Sequence, residues 1–217
     1  MSGYDFPAKT AYLDPQSAAN YDSYRRSTRL RRRLENMELD AIQWAIKKLP
    51  KSYRVLDVPC GTGRLLQPLI RHFAFVQGVD LSSEMLNIAR SRYAGVQNVA
   101  FCKADATALP FQDDEFDCVS SVRFFGHTPP DVRLGVLREM RRVTRYHVVA
   151  IVYARDRLIN LRKRLRRIVR PDRYTWYPFS SRKEVIRTFH KAGLSVQTIR
   201  SLMPMVMESR LVIATKR

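Results

Sequence analysis

Residues 55–66 read VLDVPCGTGRLL, a short apolar run that leads into a glycine-rich turn and then into a second apolar run. The first run is rich in strand-forming residues. Leucines at positions 65, 66 and 69 recur at helical spacing, so we expect a helix to begin near Thr62. Gly61 and Gly63 tolerate the unusual backbone angles of the turn. A turn between a strand and a helix presents backbone N–H groups and a helix dipole, so it predicts a nucleotide-type binding site.

Two kinds of nucleotide site compete for this turn. A dinucleotide site prefers G-x-G-x-x-G, but Pro59 occupies the position of the first glycine and Leu66 that of the last. The stretch instead resembles motif I of the class I methyltransferases that use S-adenosyl-L-methionine. In that family the acid lies near the amino acid part of the cofactor and the glycines pass beneath it. The resemblance implies cofactor contacts for Asp57, Pro59, Cys60, Gly61 and Gly63.

A second stretch, FVQGVD at residues 75–80, predicts a strand that ends in an acid roughly twenty residues beyond the turn. A carboxylate at that position can accept hydrogen bonds from both ribose hydroxyls, so Asp80 is our candidate ribose ligand. The following helix, residues 81–90, resembles the family pattern D-x-S-x-x-M-L-x-x-A. The resemblance implies that Leu81 and Met85 bracket the adenine, although Met85 also suits a packed core.

A third and a fourth stretch complete the resemblance. Residues 99–106 predict a strand and its loop, and with residues 109–111 they resemble the family stretch D-A-x-x-L-P-F. This implies that Asp105 binds the adenine amino group and that the backbone of Ala106 meets the ring. Residues 116–122 predict the next strand. Because the matches across residues 55–125 follow the order and spacing of the family, we identify a class I methyltransferase.

The resemblance implies an α/β fold, a Rossmann-like, seven-stranded, mostly parallel sheet with helices on both faces and an antiparallel C-terminal edge hairpin. We divide the chain into an N-terminal lid with a basic helix (1–50), a cofactor-binding core (51–153), a basic amphipathic insertion (154–179) and a final helix with two edge strands (180–217). At 217 residues and 45% hydrophobic content, one domain with appendages is expected.

The first fifty residues hold a candidate lid and a basic helix. Residues 18–24 resemble the A-x-x-Y-D stretch that folds over the cofactor in related enzymes, so Tyr21 lines the site or belongs to a frayed terminus. Residues 25–49 predict one amphipathic helix on the spacing of their apolar residues. Its first half is crowded with arginines, which form either a binding surface or a solvated face.

The loop after the fourth strand, RFFGHTPP at residues 123–130, is the expected acceptor site. It lacks the Asn or Asp followed by Pro-Pro and an aromatic residue that marks the methylation of base amines in this family. His127 has the intrinsic pKa of a general base, or it only packs in the loop. Arg123 is a candidate for holding an anionic substrate group, and its backbone lies near the expected cofactor. We therefore name His127 and Arg123 as candidate catalytic residues and expect no metal.

Charge and cysteine content limit the partners and the compartment. Lys and Arg number 39 against 20 Asp and Glu, a net charge of +19 that attracts polyanions. The three cysteines lack metal-ligand spacing and predict buried thiols in a reducing compartment. No apolar run reaches the length of a membrane span. We expect a cytoplasmic protein, with peripheral binding to the inner face of the membrane as an option.

Residues 155–173 predict a second basic amphipathic helix, inserted over the substrate side of the fold. Together with residues 25–33 it fits an anionic membrane surface. We therefore expect methyl transfer to an O or N atom of a small-molecule or lipid-like acceptor. An RNA methyltransferase, with its arginines on phosphates, is the alternative enzyme, and a non-catalytic partner protein that binds S-adenosyl-L-methionine is the third hypothesis.

Overall fold

The structure, a computed structural model, describes residues 13–154, 177–202 and 209–217. The strands within these residues are β1 Arg54–Asp57, β2 Phe75–Asp80, β3 Val99–Lys103, β4 Phe116–Val122, β5 Thr144–Tyr153, β6 Leu194–Ser201 and β7 Ser209–Lys216. They form one sheet in the order β3-β2-β1-β4-β5-β7-β6. The first five run parallel, and β7 is antiparallel to both β5 and β6. The predicted fold class is confirmed.

Helices cover both faces of the sheet. They are α1 Pro15–Arg26, α2 Arg29–Ile46, α3 Leu66–His72, α4 Ser83–Arg92, α5 Pro130–Val143 and α6 Arg182–Lys191. Alternate residues of β5 separate the two layers: Val148 and Ala150 belong to the core under α5 and α6, whereas Val149 and Ile151 belong to the core under α2 and α3. This alternation is the period of two that a strand imposes on its side chains.

The order of the strands fixes where a ligand can bind. β1 pairs with β2 on one side and with β4 on the other, so the chain reverses its winding direction at β1. In open α/β sheets the crevice at the carboxyl ends of the strands beside this reversal is the usual ligand site. The glycine-rich turn follows β1 at this place, and the loop of residues 123–130 follows β4.

Two helix boundaries differ from the sequence prediction. The helix after the glycine-rich turn begins at Leu66 rather than near Thr62. Gly61 and Gly63 both have positive φ, which no α-helix contains, so the turn extends further than the leucine spacing suggests. The N-terminal arginine run spans two helices, because Thr28 is extended and caps the second one through its side chain and the backbone N–H of Arg31.

Other predictions are confirmed or fall outside the described residues. Ser82 caps α4, since its hydroxyl accepts from the backbone N–H of Met85, and β2 and β4 have the predicted bounds. Cys60 and Cys118 are buried, but Cys102 is only partly buried, because β3 is the edge strand of the sheet. The predicted basic helix at residues 155–173 lies outside the described residues.

Candidate active site

A cavity of about 610 Å³ lies at the carboxyl ends of the central strands, between the glycine-rich turn, α1 and the loop after β4. It brings together almost all of the residues that the sequence predicted for the site. These are Tyr21, Asp57, Pro59, Cys60, Gly61, Asp80, Leu81, Met85, Asp105, Ala106, Arg123 and His127. The four stretches that resemble one family therefore meet at one site.

Gly63 is the one predicted site residue that does not line this cavity. Its φ is +72°, and a Cβ at this position would lie 2.9 Å from the ring of Tyr93 and 3.3 Å from the side chain of Ala89. The absence of a side chain at Gly63 thus allows the turn to pack closely against α4, and its predicted contact with the cofactor stays a prediction. Gly61 differs, because a Cβ there would meet no atom within 4 Å and would enter the cavity.

The carboxylate of Asp80 is fixed by the backbone on both of its oxygens. Oδ2 accepts from the N–H of Gly61 at 2.8 Å, and Oδ1 accepts from the N–H of Ser82 at 2.9 Å. Burial raises the pKa of Asp80, although these N–H groups favour its charged form and oppose that rise. The carboxylate thus joins the end of β2 to the glycine-rich turn, and each oxygen keeps a further lone pair for a ligand.

Asp57 is the most deeply buried acid of the cavity, with 4% of its surface exposed. Its pKa is raised to about 7, chiefly by burial; the Ser120 hydroxyl on β4 opposes the rise and the nearby carboxylate of Asp80 adds to it. A buried carboxylate with a raised pKa lacks a partner for its charge. A cationic ligand would supply that partner.

The loop after β3 presents Asp105 to the cavity in a defined orientation. Its Oδ1 accepts from both the backbone N–H and the hydroxyl of Thr107, at 2.9 and 2.7 Å. These bonds hold the loop in an Asx-type turn, with Ala106 beside the acid at the cavity wall. Cys60, also at the wall, has a pKa raised well above its usual value by burial and by the neighbouring carboxylates, so its thiol stays protonated.

The helix α1 is held over the glycine-rich turn by a set of contacts that the sequence did not reveal. Asp22 Oδ1 accepts from the hydroxyl of Thr62 at 2.7 Å, and its other oxygen forms an ion pair with Arg92 of α4. Arg92 in turn donates to the carbonyl of Thr62 at 2.7 Å. These contacts place Tyr21, one residue earlier, at the cavity wall and support the predicted lid.

Two glutamates of α2 were also missed by the sequence prediction, which assigned this region to a basic surface. Glu35 is buried and forms ion pairs with Arg64, at 2.8 Å, and with Arg26, at 3.2 Å. Glu38 is buried and forms an ion pair with Arg123. A buried charge needs a partner, and two of these partners, Arg64 and Arg123, lie outside the predicted N-terminal helix, so only the fold reveals the pairing.

The loop after β4 starts at Arg123, whose φ of +62° is rare for a residue with a side chain. Its ion pair with Glu38 fixes the guanidinium at the cavity wall. His127 follows in a turn, with its N–H bonded to the carbonyl of Phe124 at 3.0 Å. Burial and the positive charge of Arg25 lower the pKa of His127. The imidazole is therefore neutral at pH 7 and able to accept a proton.

Arg133 of α5 anchors this loop from inside the protein. Its side chain is fully buried, and Nη2 donates to the carbonyls of Phe125 at 3.2 Å, Thr128 at 3.0 Å and Tyr177. The guanidinium also lies over the ring of Phe179, 4.0 Å from its centroid. One side chain thus ties the loop that carries His127 to the segment that leads into α6.

The chain is similar in sequence and in fold to known methyltransferases. Residues 55–147 match the family model described as "Methyltransferase domain". This segment of the chain is therefore similar in sequence to methyltransferase domains. Its relatives include demethylmenaquinone methyltransferases from Clavibacter sepedonicus, 46% identical over 67 residues (31% of this chain, 27% of the relative), and from Staphylococcus aureus strain MRSA252, 38% identical over 96 residues (43% and 39%). The chain thus spans less than two fifths of the length of these relatives.

The similarity in fold extends beyond the matched segment. Magnesium protoporphyrin IX methyltransferase from Synechocystis PCC 6803, solved with bound SAH, superposes with a TM-score of 0.78 at 16% identity, over 97% of this chain and 98% of that protein. At this identity the similarity establishes the fold alone. In the described part of the chain, no group of His, Cys, Asp and Glu residues could hold a metal ion. Within the same residues, no helix is long and apolar enough to cross a membrane.

Proposed function

We propose that this chain transfers the methyl group of S-adenosyl-L-methionine to an O or N atom of a small-molecule or lipid-like acceptor at an anionic membrane surface. The observation that carries the proposal is the single cavity in which all four family-like stretches meet. The relatives support it, because one is named for demethylmenaquinone and a structural neighbour for magnesium protoporphyrin IX, both small molecules.

The residues of the cavity fit the three parts of S-adenosyl-L-methionine. The buried carboxylate of Asp57 suits the ammonium group of the amino acid end, and the space left by the missing side chain of Gly61 lets that end approach the backbone. Asp80 has free lone pairs for the ribose hydroxyls. Asp105 and the N–H of Ala106 suit the adenine edge, with Leu81 and Met85 beside the ring. Burial raises the pKa values of Asp57 and Asp80, and a ligand with positive charge or hydrogen-bond donors would compensate their carboxylates.

The protein aligns the reacting groups, excludes water from them and supplies a proton acceptor. When bound, S-adenosyl-L-methionine supplies an electrophilic methyl group on a sulfonium ion. An in-line displacement gains most from alignment and from the exclusion of water, which α1 and the loop after β4 provide on opposite sides of the cavity. Where the methyl acceptor must lose a proton, His127 takes up that proton. Its lowered pKa keeps the imidazole neutral at pH 7 and so ready for this step.

The corner between α1 and α2 supports the membrane part of the proposal. Arg29, Arg32 and Arg33 are exposed there, next to Leu30 and Tyr24, whose surfaces are 61% and 57% exposed. Tyr24 also lines the cavity. Apolar side chains surrounded by arginines suit the interface of an anionic bilayer, and this corner lies beside the cavity that would receive a lipid-like acceptor.

Co-sedimentation with liposomes tests the membrane part. The protein should bind vesicles with anionic lipids but not neutral vesicles, and structured RNA should not displace it. Replacing the three exposed arginines of the corner by Ala should abolish binding. A matched triple variant of exposed α6 residues, Arg182, Lys183 and Arg187 to Ala, loses the same charge and should still bind. Displacement of the protein from vesicles by RNA would favour the RNA alternative. An equal loss of vesicle binding in both triple variants would mean that only the net charge of the protein matters.

Transfer of a labelled methyl group tests the activity itself. The full chain, incubated with radiolabelled S-adenosyl-L-methionine and a total lipid extract, should move label into the organic phase, and the Asp80→Ala variant should not. Retained binding of S-adenosyl-L-methionine without transfer to lipid, RNA or small-molecule acceptors would favour the non-catalytic partner role.

A further inference from the structure

Three arginines line the cavity, Arg25, Arg64 and Arg123, and two of them already have partners. Arg64 pairs with Glu35 at 2.8 Å, and Arg123 pairs with Glu38. Both glutamates are buried on α2. Each of these two guanidinium groups therefore already has a carboxylate partner within the protein.

The third, Arg25 on α1, is different. It lines the cavity and is half-buried, and among the described residues no carboxylate lies within ion-pair distance of its guanidinium. Its charge acts on His127, whose pKa it helps to lower, and on the buried Glu38. Arg25 is thus close to the groups of the acceptor side of the cavity.

The surroundings of Arg25 define which ligands this end can accept. Tyr24, Phe124 and Val132 give the wall aromatic and aliphatic surface. A neutral apolar ligand would fill this space and remove water from the guanidinium without replacing its hydrogen bonds, which is unfavourable. A ligand with an anionic oxygen would replace that water with charge-assisted hydrogen bonds to a planar, bidentate donor.

We propose that Arg25 forms an anion-binding subsite, and that the acceptor is an aromatic or apolar molecule that carries a carboxylate at the end next to His127. This inference deepens the proposed function and rests on it, because it assigns this end of the cavity to the acceptor. The subsite selects amphipathic acids over neutral molecules of the same shape, which agrees with a substrate drawn from a membrane interface.

Binding of two matched probes tests the subsite without knowledge of the natural acceptor. The full chain is saturated with S-adenosylhomocysteine and titrated by calorimetry with 2-naphthoate and, separately, with the neutral 2-naphthalenemethanol. We expect the acid to bind at least about 10-fold more tightly than the alcohol. Arg25→Gln should remove this preference, whereas Arg187→Gln, an exposed arginine of α6, should retain it.

The outcomes separate this inference from the proposed function. Equal affinity for both probes, no detectable binding of the acid, or an unchanged preference in Arg25→Gln would overturn the subsite. Weaker binding of S-adenosylhomocysteine to Arg25→Gln, with the probe preference intact, would assign Arg25 to the cofactor and overturn it as well. Failure of the unmodified chain to bind S-adenosylhomocysteine at all would instead contradict the proposed function.

Discussion

Replacing Asp57 by Asn removes a buried negative charge with little change in the size of the side chain. In the folded protein the pKa of Asp57 is raised to about 7, from 3.8, chiefly because burial strips water from the carboxylate. The folded state therefore prefers the protonated acid. The stability that this preference contributes is present below pH 3.8 and is lost as the pH rises to about 7.

The size of the effect follows from the shift. About three pKa units at about 1.4 kcal/mol each give an upper limit of about 4 kcal/mol for the cost of the ionised carboxylate above pH 7. Asn carries no charge at any pH. Asp57→Asn should therefore raise the free energy of unfolding of the ligand-free protein, and its advantage should grow by about 2 kcal/mol between pH 5.5 and 8.5.

Thermal unfolding at these two pH values measures this difference. For a chain of this length, 1 kcal/mol corresponds to about 2–4 °C in Tm, so the variant should melt several degrees higher at pH 8.5. The same variant should bind S-adenosyl-L-methionine at least about 10-fold more weakly, because one charge-assisted contact is lost. Asp40→Asn, at an exposed position on α2, is the control and should change neither property. A variant that is no more stable at pH 8.5, or that keeps its affinity, would refute the reasoning.

Further substitutions separate chemistry from packing. His127→Ala should slow methyl transfer without weakening cofactor binding, and transfer by the unmodified protein should fall as the pH drops through a pKa below 6.5; full activity of the variant would relegate His127 to packing. Arg133→Lys should place its ammonium short of the position of Nη2, from which Arg133 donates to three carbonyls. It should therefore cost about 3 kcal/mol of stability and raise the KM for the acceptor; an unchanged Tm would contradict this anchor. Gly63→Ala should lower the Tm through its φ of +72° and its clash with Tyr93, whereas Gly135→Ala in α5, where a Cβ has open space, should add about 0.5–1 kcal/mol; the reverse order would contradict the packing role.

The sequence predicts the fold and the residues after β1, β2 and β3 that line the cavity, because both depend on local patterns. Strand-forming runs set β2 and β4, and the turn residues follow each strand directly, so strand order alone brings Asp57, Asp80 and Asp105 together. The different surroundings of Gly61 and Gly63 could not be predicted from the sequence. Two glycines in one turn look equivalent in sequence, but only the packing of α4 distinguishes the one that faces the cavity from the one that faces a helix.

The charged contacts around α1, α2 and the loop after β4 form between residues that the fold brings together, and the sequence predicts them poorly. The arginine run of residues 25–33 suggests a continuous solvated or binding face, yet Arg25 points to the cavity wall and a helix break follows it. Glutamate is usually a surface residue. Glu35 and Glu38 are nevertheless buried, and their charges are paired with those of Arg64 and Arg123. Neither pairing has a signal in local sequence, since the partners are brought together only by the sheet.

Calorimetric titration of the purified chain with S-adenosyl-L-methionine, beside the Asp80→Ala variant, tests the central claim most directly. The variant loses both a ligand for the ribose and the acceptor of the Gly61 and Ser82 N–H groups. We expect one binding site in the unmodified chain. The variant should bind at least about 30-fold more weakly, because it loses the two charge-assisted hydrogen bonds between Asp80 and the ribose hydroxyls. Unchanged affinity in a folded variant, or no binding to the unmodified chain, would contradict the assignment of this cavity to the methyl donor.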